Sequence, residues 1–367
     1  MATQKGLLLE KAGNPFKIVD HLPRSTPGPK QALVKPIFVA INPVYAALGR
    51  FRYSMSICSC SSRREVFMHQ TGMLTMGMPA VLGSDFSGVV VETGSQCTRL
   101  SKGDVVYATS NMGQNLYSPF QETFLVDEAS VFKKSDNISA EQAAATGVGL
   151  LTAAFGVLVG ANGTLPEAGT KVPKRDEWLV VLGGSGTVGH FGIQIARACG
   201  YKVAASCSTS NSSKVLASGA DATFNSRASP ADQAAEVKSI TGGNFAVVFD
   251  ASAVAHEAAF KILEQSSAGT KYFTTTDVAG KYTAPDGVRE YRVRVGELGR
   301  DGDIGKHVTE ETAKWTPVLA GHIAKGTITP VEIEVHSGTG WQALIEAIKY
   351  YAEGKAKKKV VVRVQND

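Results

Sequence analysis

Three glycines at Gly184-x-Gly186-x-x-Gly189 are the residues of this chain whose type and spacing point most directly to chemistry. They follow the apolar run Trp178-Leu-Val-Val-Leu182 and open a stretch with helical spacing, Val188 to Cys199, in which Ile193, Ile195 and Ala196 face inward. In that context the first glycine allows a tight turn, the second lets backbone approach a pyrophosphate, and the third lets helix pack close on strand. Amides at the helix start would face the phosphate oxygens. Gly183, Gly184, Ser185, Gly186, Thr187, Val188 and Gly189 are therefore the expected cradle of a dinucleotide. A tight turn that holds no ligand is the plain alternative. The end of the next strand, Tyr201-Lys-Val-Ala-Ala-Ser206, bears on which dinucleotide. A carboxylate there would hydrogen-bond the ribose hydroxyls of NAD and repel a 2′-phosphate. Here the run Ser206 to Lys214 is rich in hydroxyls, and no acid follows until Asp221. Hydroxyls with Lys214, or Lys202, suit a phosphorylated ribose, so NADPH is the expected cofactor, although the serines would also serve as a polar loop.

The elements that must position this loop are of two kinds. Residues 1–145 read as β-rich: Leu7-Leu8-Leu9, Ala32 to Ile41, Gly88 to Gly94 and Asp104 to Ala108 are short apolar or alternating runs punctuated by Gly, Pro and Asn. At Ser139 the pattern changes, with Gln142 three residues on as a capping-box partner and an Ala-rich helical stretch to about Val159. Strands and helices then alternate: strands 178–182, 201–206, 245–250, 271–276 and 291–295, with helices 188–199, 212–218 and 255–263 between them. Such alternation implies a parallel, doubly wound sheet. An amphipathic helix, 340–351, and a strand, 359–364, close the chain. Leu165 to Asp176 reads as an exposed loop. Ser54 to Met76 has no sustained period and reads as a long loop or lid, or a tolerated insertion. The fold class is α/β, with 1–145 and 327–367 as one domain and 146–326 as a dinucleotide-binding domain.

Composition excludes several classes. The chain has 367 residues, 43% of them apolar and 19% charged, which is ordinary for a two-domain globular protein. No run of 18 or more apolar residues offers a membrane span, and the start is too short in apolar residues for a secretory signal. The net charge of +5 is mild, and Lys355-Ala-Lys-Lys-Lys359 reads as a solvated helix end or turn rather than a nucleic-acid contact. Five scattered cysteines suggest free thiols in a reducing compartment, with cytoplasm the expectation.

At this point the sequence resembles the medium-chain dehydrogenase/reductase superfamily. The motifs are Pro79-Ala-Val-Leu-Gly-Ser-Asp-Phe-Ser-Gly88, Val91-Glu-Thr-Gly94, Gly103-Asp-Val-Val-Tyr-Ala108, Phe120-Gln-Glu-Thr-Phe124, Gly149-Leu-Leu-Thr-Ala153, the glycine loop, Gly219-Ala-Asp-Ala222 and the closing Glu353-Gly-Lys-Ala-Lys-Lys-Lys-Val. They occur in family order across nearly the whole chain. Among subfamilies the chain is most similar to the zinc-free fungal trans-acting enoyl reductases that partner polyketide synthases. The resemblance implies a GroES-like substrate domain built from both chain ends, with a Rossmann domain inserted and chemistry in the interdomain cleft. It implies monomers, or dimers formed by sheet extension. The Gly-His-Glu of zinc-dependent members corresponds to Gly83-Ser84-Asp85, and Cys58-x-Cys60 alone approaches structural-zinc spacing, so no metal is expected. The family's Asn-Pro-x-Asp-x-Lys loop reads Asn42-Pro-Val-Tyr-Ala-Ala47, replacing aspartate by Tyr45 and lysine by Ala47. Thr152 retains a substrate-cleft threonine, Ser208-Thr-Ser-Asn211 retains part of a cofactor-contacting loop, and Ser226 replaces a tyrosine near the cofactor.

Conjugate reduction places hydride on a β-carbon while charge develops on a carbonyl oxygen, which needs a hydrogen-bond donor, and the α-carbon needs an acid. With the lysine gone, Tyr45 and Thr152 are the candidates, with Tyr53 or the nicotinamide ribose hydroxyl as further donors. His190 reads as structural, and His69 as an exposed loop residue that a lid could carry inward. The leading expectation is NADPH-dependent reduction of an α,β-unsaturated carbonyl, on a small-molecule or carrier-bound polyketide, with a polyketide synthase as a possible partner. The alternatives are a redox-silent isomerase or cyclase on the same fold, and a carrier-docking accessory subunit.

Overall fold

The computed structural model describes residues 2–42, 67–72, 74–278 and 280–366. Along them run β1 (Thr3–Leu8), β2 (Lys17–Pro23), β3 (Gln31–Ala40), β4 (Asp85–Thr93), β5 (Val105–Thr109), β6 (Phe124–Asp127) and β7 (Phe132–Lys133). Then come β8 (Trp178–Leu182), β9 (Lys202–Cys207), β10 (Ala222–Asn225), β11 (Phe245–Asp250), β12 (Lys271–Thr275) and β13 (Val288–Arg292), and last β14 (Ile333–Thr339) and β15 (Lys359–Arg363). The chain divides into two compact units. One holds Met1–Val148, Gly296–Thr316 and Pro330–Asp367; the other holds Gly149–Val295 and Pro317–Thr329.

The first unit is β-rich because its strands are short and separated by turn residues. Its main sheet has the order β14-β15-β3-β4-β5-β7, with β6 also paired to β3 and all pairs antiparallel except β14 with β15. β3 is central and almost wholly buried, yet it contains Pro36, which lacks an amide for the ladder. The register with β4 shifts between Pro36 and Phe38, the bulge that lets a proline sit in such a strand. Phe86 meets Phe124 edge-to-face at 4.7 Å in the core.

The second unit is a six-stranded, all-parallel sheet in the order β10-β9-β8-β11-β12-β13. Counted within the unit from β8, that is 3-2-1-4-5-6, the doubly wound dinucleotide-binding order whose strand sequence reverses between β8 and β11. Both of those strands are continuous apolar runs, as burial on two faces requires. Val180, Leu182, Phe245, Val248 and Phe273 form the centre of its core. The Rossmann fold is thus established, and the first unit supplies the β-rich partner.

Several expectations shift in detail. The helix foreseen from Ser139 breaks into Ala140–Ala144 and Gly147–Ala154, followed by a wider π-helical turn at Phe155–Gly160; the capping box between Ser139 and Gln142 is present. The strand foreseen at 291–295 is β13, three residues earlier. Residues 296–316 join the first unit, although a simple insertion would have given them to the second. Arg300 explains this: its guanidinium donates to Leu74 O at 2.5 Å and Met112 O at 3.4 Å. The division falls at Pro317, inside the helix Asp303–Ala324. No helix among the described residues is long and apolar enough to cross a membrane.

Candidate functional site

The glycine loop leaves the carboxyl end of β8 and enters the helix Thr187–Ala198. The tight turn is made by Gly183, whose φ of +81° favours glycine, rather than by Gly184 as the spacing suggests. A Cβ on Gly183 would also lie 2.9 Å from Ser252 Cβ. Gly184 is buried, and a Cβ there would press on Ala205, Val215 and Ile193 at 3.0–3.3 Å. Gly189 is the close-packing glycine, since a Cβ would stand 2.2 Å from Gly183 O. Gly186 is different. It is exposed, caps the helix with extended backbone and no side chain, and a Cβ would meet only Gly183 O at 3.5 Å. The first helical bond is His190 N–H to Gly186 O at 2.9 Å, so the amides of Thr187, Val188 and Gly189 precede it with no side-chain cap. An exposed, uncapped helix start beside a bare glycine fits a phosphate group.

Ser206, at the end of β9, is what holds the loop. Its Oγ accepts the Gly183 N–H at 2.9 Å and its carbonyl accepts the Gly184 N–H at 2.8 Å. It is 3% exposed, so of the serine run it is committed to the fold. The next residues turn outward. Ser208 and Asn211 are half-buried, Ser210 and Lys214 are exposed, and Ser208 Oγ lies 3.1 Å from Ser210 Oγ. Lys214 sits in the short helix Ser212–Ala217. Asp221, the first acid after the run, points to the other end of the strands, where it accepts the Val203 N–H at 2.8 Å and pairs with Arg197 at 2.5 Å. The carboxyl end of β9 therefore presents hydroxyls and no carboxylate of its own.

Asp250, at the end of β11, is a site residue that sequence reasoning missed; its only local signal is an acid closing an apolar strand. Its carboxylate is fully buried and accepts from Ser252 N–H (2.9 Å), Ser252 Oγ (2.6 Å), Ala255 N–H (3.1 Å) and Thr275 Oγ1 (3.3 Å). Burial pushes its pKa up, against those hydrogen bonds. The turn it fixes carries Ser252 against Gly183, so it shapes the floor of the glycine turn.

Other expected residues fall elsewhere. Thr152 is half-buried in the helix Gly147–Ala154. Tyr45, Ala47, Tyr53, Cys58 and Cys60 lie outside the described residues. His190 has ring nitrogens 2.9 Å from Ser218 Oγ and from Thr329 O, inside the second unit. His69 is not exposed: it is 3% accessible, with Nε2 at 2.7 Å from Asn14 O and its ring 5.0 Å from Phe16. The run Lys355 to Lys359 is solvated only in part. Lys355 pairs with Glu353 and Lys358 with Glu332, while Lys359 is buried against Asp85 at 3.1 Å. Ser226, beyond β10, donates its N–H to Cys207 O at 2.9 Å.

The chain matches the alcohol dehydrogenase GroES-like domain over residues 28–136 and the zinc-binding dehydrogenase domain over residues 187–269. It is 27% identical over 365 residues to the zinc-binding alcohol dehydrogenase domain-containing protein cipB of Emericella nidulans, covering 97% of this chain and 96% of that one. It is 30% identical over 280 residues to the trans-enoyl reductase traG of Penicillium crustosum, covering 74% and 69%. Among solved structures, the CurK enoyl reductase shares its fold with a TM-score of 0.71 at 19% identity, over 98% of this chain and 99% of that one. The chain thus belongs to the medium-chain dehydrogenase/reductase superfamily, oxidoreductases that join a GroES-like domain to an NAD(P)-binding Rossmann domain.

Proposed function

We propose that this protein is a zinc-independent, NADPH-dependent reductase of an α,β-unsaturated carbonyl, acting on a small-molecule or carrier-bound polyketide intermediate. The observation that carries the reading is the carboxyl end of β9. Beside an uncapped helix start, it offers Ser208, Ser210, Asn211 and Lys214, while Asp221 is engaged at the opposite strand end. A 2′-phosphate is favoured by such a corner, because no carboxylate of that strand end repels it. Similarity to traG supports the enoyl substrate class.

The residues at the family's zinc position support metal independence. Asp85 accepts from Asn42 Nδ2 at 2.9 Å, from the Val148 N–H at 2.6 Å and from the Lys359 ammonium at 3.1 Å. A buried ammonium already compensates this carboxylate, and a second cation beside it would be repelled. When bound, NADPH supplies hydride to the β-carbon. The chain's own part is to hold the carbonyl oxygen and deliver a proton to the α-carbon. Thr152 is the donor assigned to the oxygen and Tyr45 the acid.

The test is turnover. Protein, NADPH and a panel of enoyl thioesters and enones are mixed, and loss of reduced-nicotinamide absorbance is followed. The expected result is saturable consumption with at least one activated alkene, reduced by about 100-fold or more in Thr152→Ala, the usual scale for losing one oxyanion donor. Tight NADPH binding with no turnover on any alkene would reject the reading.

A further inference from the structure

The carboxyl end of β10 carries a further assignment, which rests on the NADPH reading above. β9 and β10 pair in parallel with Cys207 opposite Asn225, and the Ser226 N–H donates to Cys207 O at 2.9 Å. The chain leaving β10 is thereby held at its first residue, Ser226, beside the last residue of β9. This turn is tied down at each residue. The Arg227 N–H donates to Asn225 Oδ1 at 3.0 Å, the Ala228 N–H donates to Asn225 O at 3.2 Å, and buried Gln233 donates Nε2 to Ala228 O at 2.9 Å. Ser229 then caps the helix Pro230–Thr241 by accepting the Asp232 N–H at 3.2 Å.

A backbone fixed this closely presents its side chain from a fixed point. The Arg227 side chain is exposed, and among the described residues its guanidinium makes no hydrogen bond or ion pair. Three other basic groups of the unit are engaged: Arg197 with Asp221, Lys202 with Asp176, Arg292 with Glu290. The acids of the following helix are occupied too, Asp232 by Ser229 Oγ at 2.7 Å and Glu236 by the Asn225 N–H at 3.4 Å. An arginine with an ordered backbone and an unengaged head, at the carboxyl end of the edge strand, is on the side of a doubly wound sheet at which dinucleotides bind. Its planar fork matches two phosphate oxygens at once, which a lysine does not.

We propose that Arg227 is a specificity residue for the cofactor: it binds the 2′-phosphate from the β10 side while Lys214 approaches from the β9 side. The assignment distinguishes NADPH from NADH and leaves the pyrophosphate grip to the glycine loop. Its test is a set of fluorescence titrations of the full chain with NADPH and with NADH, for wild type, Arg227→Ala, Arg227→Lys and Arg227→Glu. Losing a hydrogen-bonded charge contact should weaken NADPH binding by about 10- to 100-fold in Arg227→Ala, with NADH binding within about 2-fold of wild type. Arg227→Lys should recover part of the loss, and Arg227→Glu should favour NADH. Equal weakening of both cofactors, or an unchanged preference for NADPH in Arg227→Ala, overturns the assignment of Arg227 alone. A wild type that binds NADH as tightly as NADPH overturns it together with the NADPH reading.

Discussion

Asp85 and Asp250 are both fully buried, one in each unit, and they are held in opposite ways. Asp85 faces a cation: Lys359 approaches one oxygen at 3.1 Å and also bonds Asn42 Oδ1, so three buried polar side chains satisfy one another. Asp250 has only neutral donors, two backbone amides and two hydroxyls, all within its own turn or the next strand. The first arrangement is charge matched by charge, tying β15 to the end of β3 and the start of β4. The second is charge matched by dipoles, and it serves to fix a turn beside the glycine loop. One anchors the fold, the other shapes a binding floor.

The largest expected effect breaks the first arrangement. Lys359→Met strands a buried carboxylate and should cost about 3–5 kcal/mol in urea unfolding, whereas pairing it with Asp85→Asn should recover much of that loss. If the single and double variants are equally unstable, the pair is not what holds these strands. Next comes the surface that the Asp250 turn supports. Gly183→Ala places a Cβ at positive φ and 2.9 Å from Ser252, so it should lose about 1–3 kcal/mol and weaken dinucleotide binding.

A pH effect sharpens the contrast. Because burial raises the Asp250 pKa, the folded state binds its proton more tightly than the unfolded chain. Its contribution is fully present below the unfolded value, near the 3.8 of a free side chain, and is lost as pH rises through the folded one. The stability difference between wild type and Asp250→Asn should therefore vary between the unfolded and folded values, changing against wild type as pH rises. A difference that is flat with pH contradicts the neutral-donor account. The smallest effect lies in the same turn: Ala253 has φ of +62°, and Ala253→Gly should gain about 1 kcal/mol or less by relieving it.

The parallel sheet was legible because its central strands are apolar runs bounded by punctuation. Phe245 to Asp250 falls on its predicted bounds, and the Ser139–Gln142 capping box forms as its spacing says. The helix Pro230–Thr241 was missed although Ser229, Pro230 and Gly242 mark its start and stop, because its weakly amphipathic, charged face hides the period. The long helix Asp303–Ala324 was missed because Pro317 reads as a stop. At the site, the glycine spacing located the loop but assigned the tight turn to the wrong glycine, since φ is set by the residue at the strand end. Ser206, Asp250 and Lys359 could not be found by spacing. Apart from Ser252 in the same turn as Asp250, their partners are Gly183, Thr275 and Asp85, which only strand register brings to them. The basic run ending at Lys359 shows the same limit: its last member is buried because β15 begins there.

The proposed reaction moves a hydride from NADPH to an activated alkene; it does not rearrange the substrate on an idle fold. The most direct measurement is isotopic. Incubation with NADPH deuterated at the transferring position of the nicotinamide, followed by mass spectrometry and NMR of the product, should show one deuterium at the β-carbon, with solvent hydrogen at the α-carbon. Product that forms without cofactor, or that carries no label from it, would contradict the account.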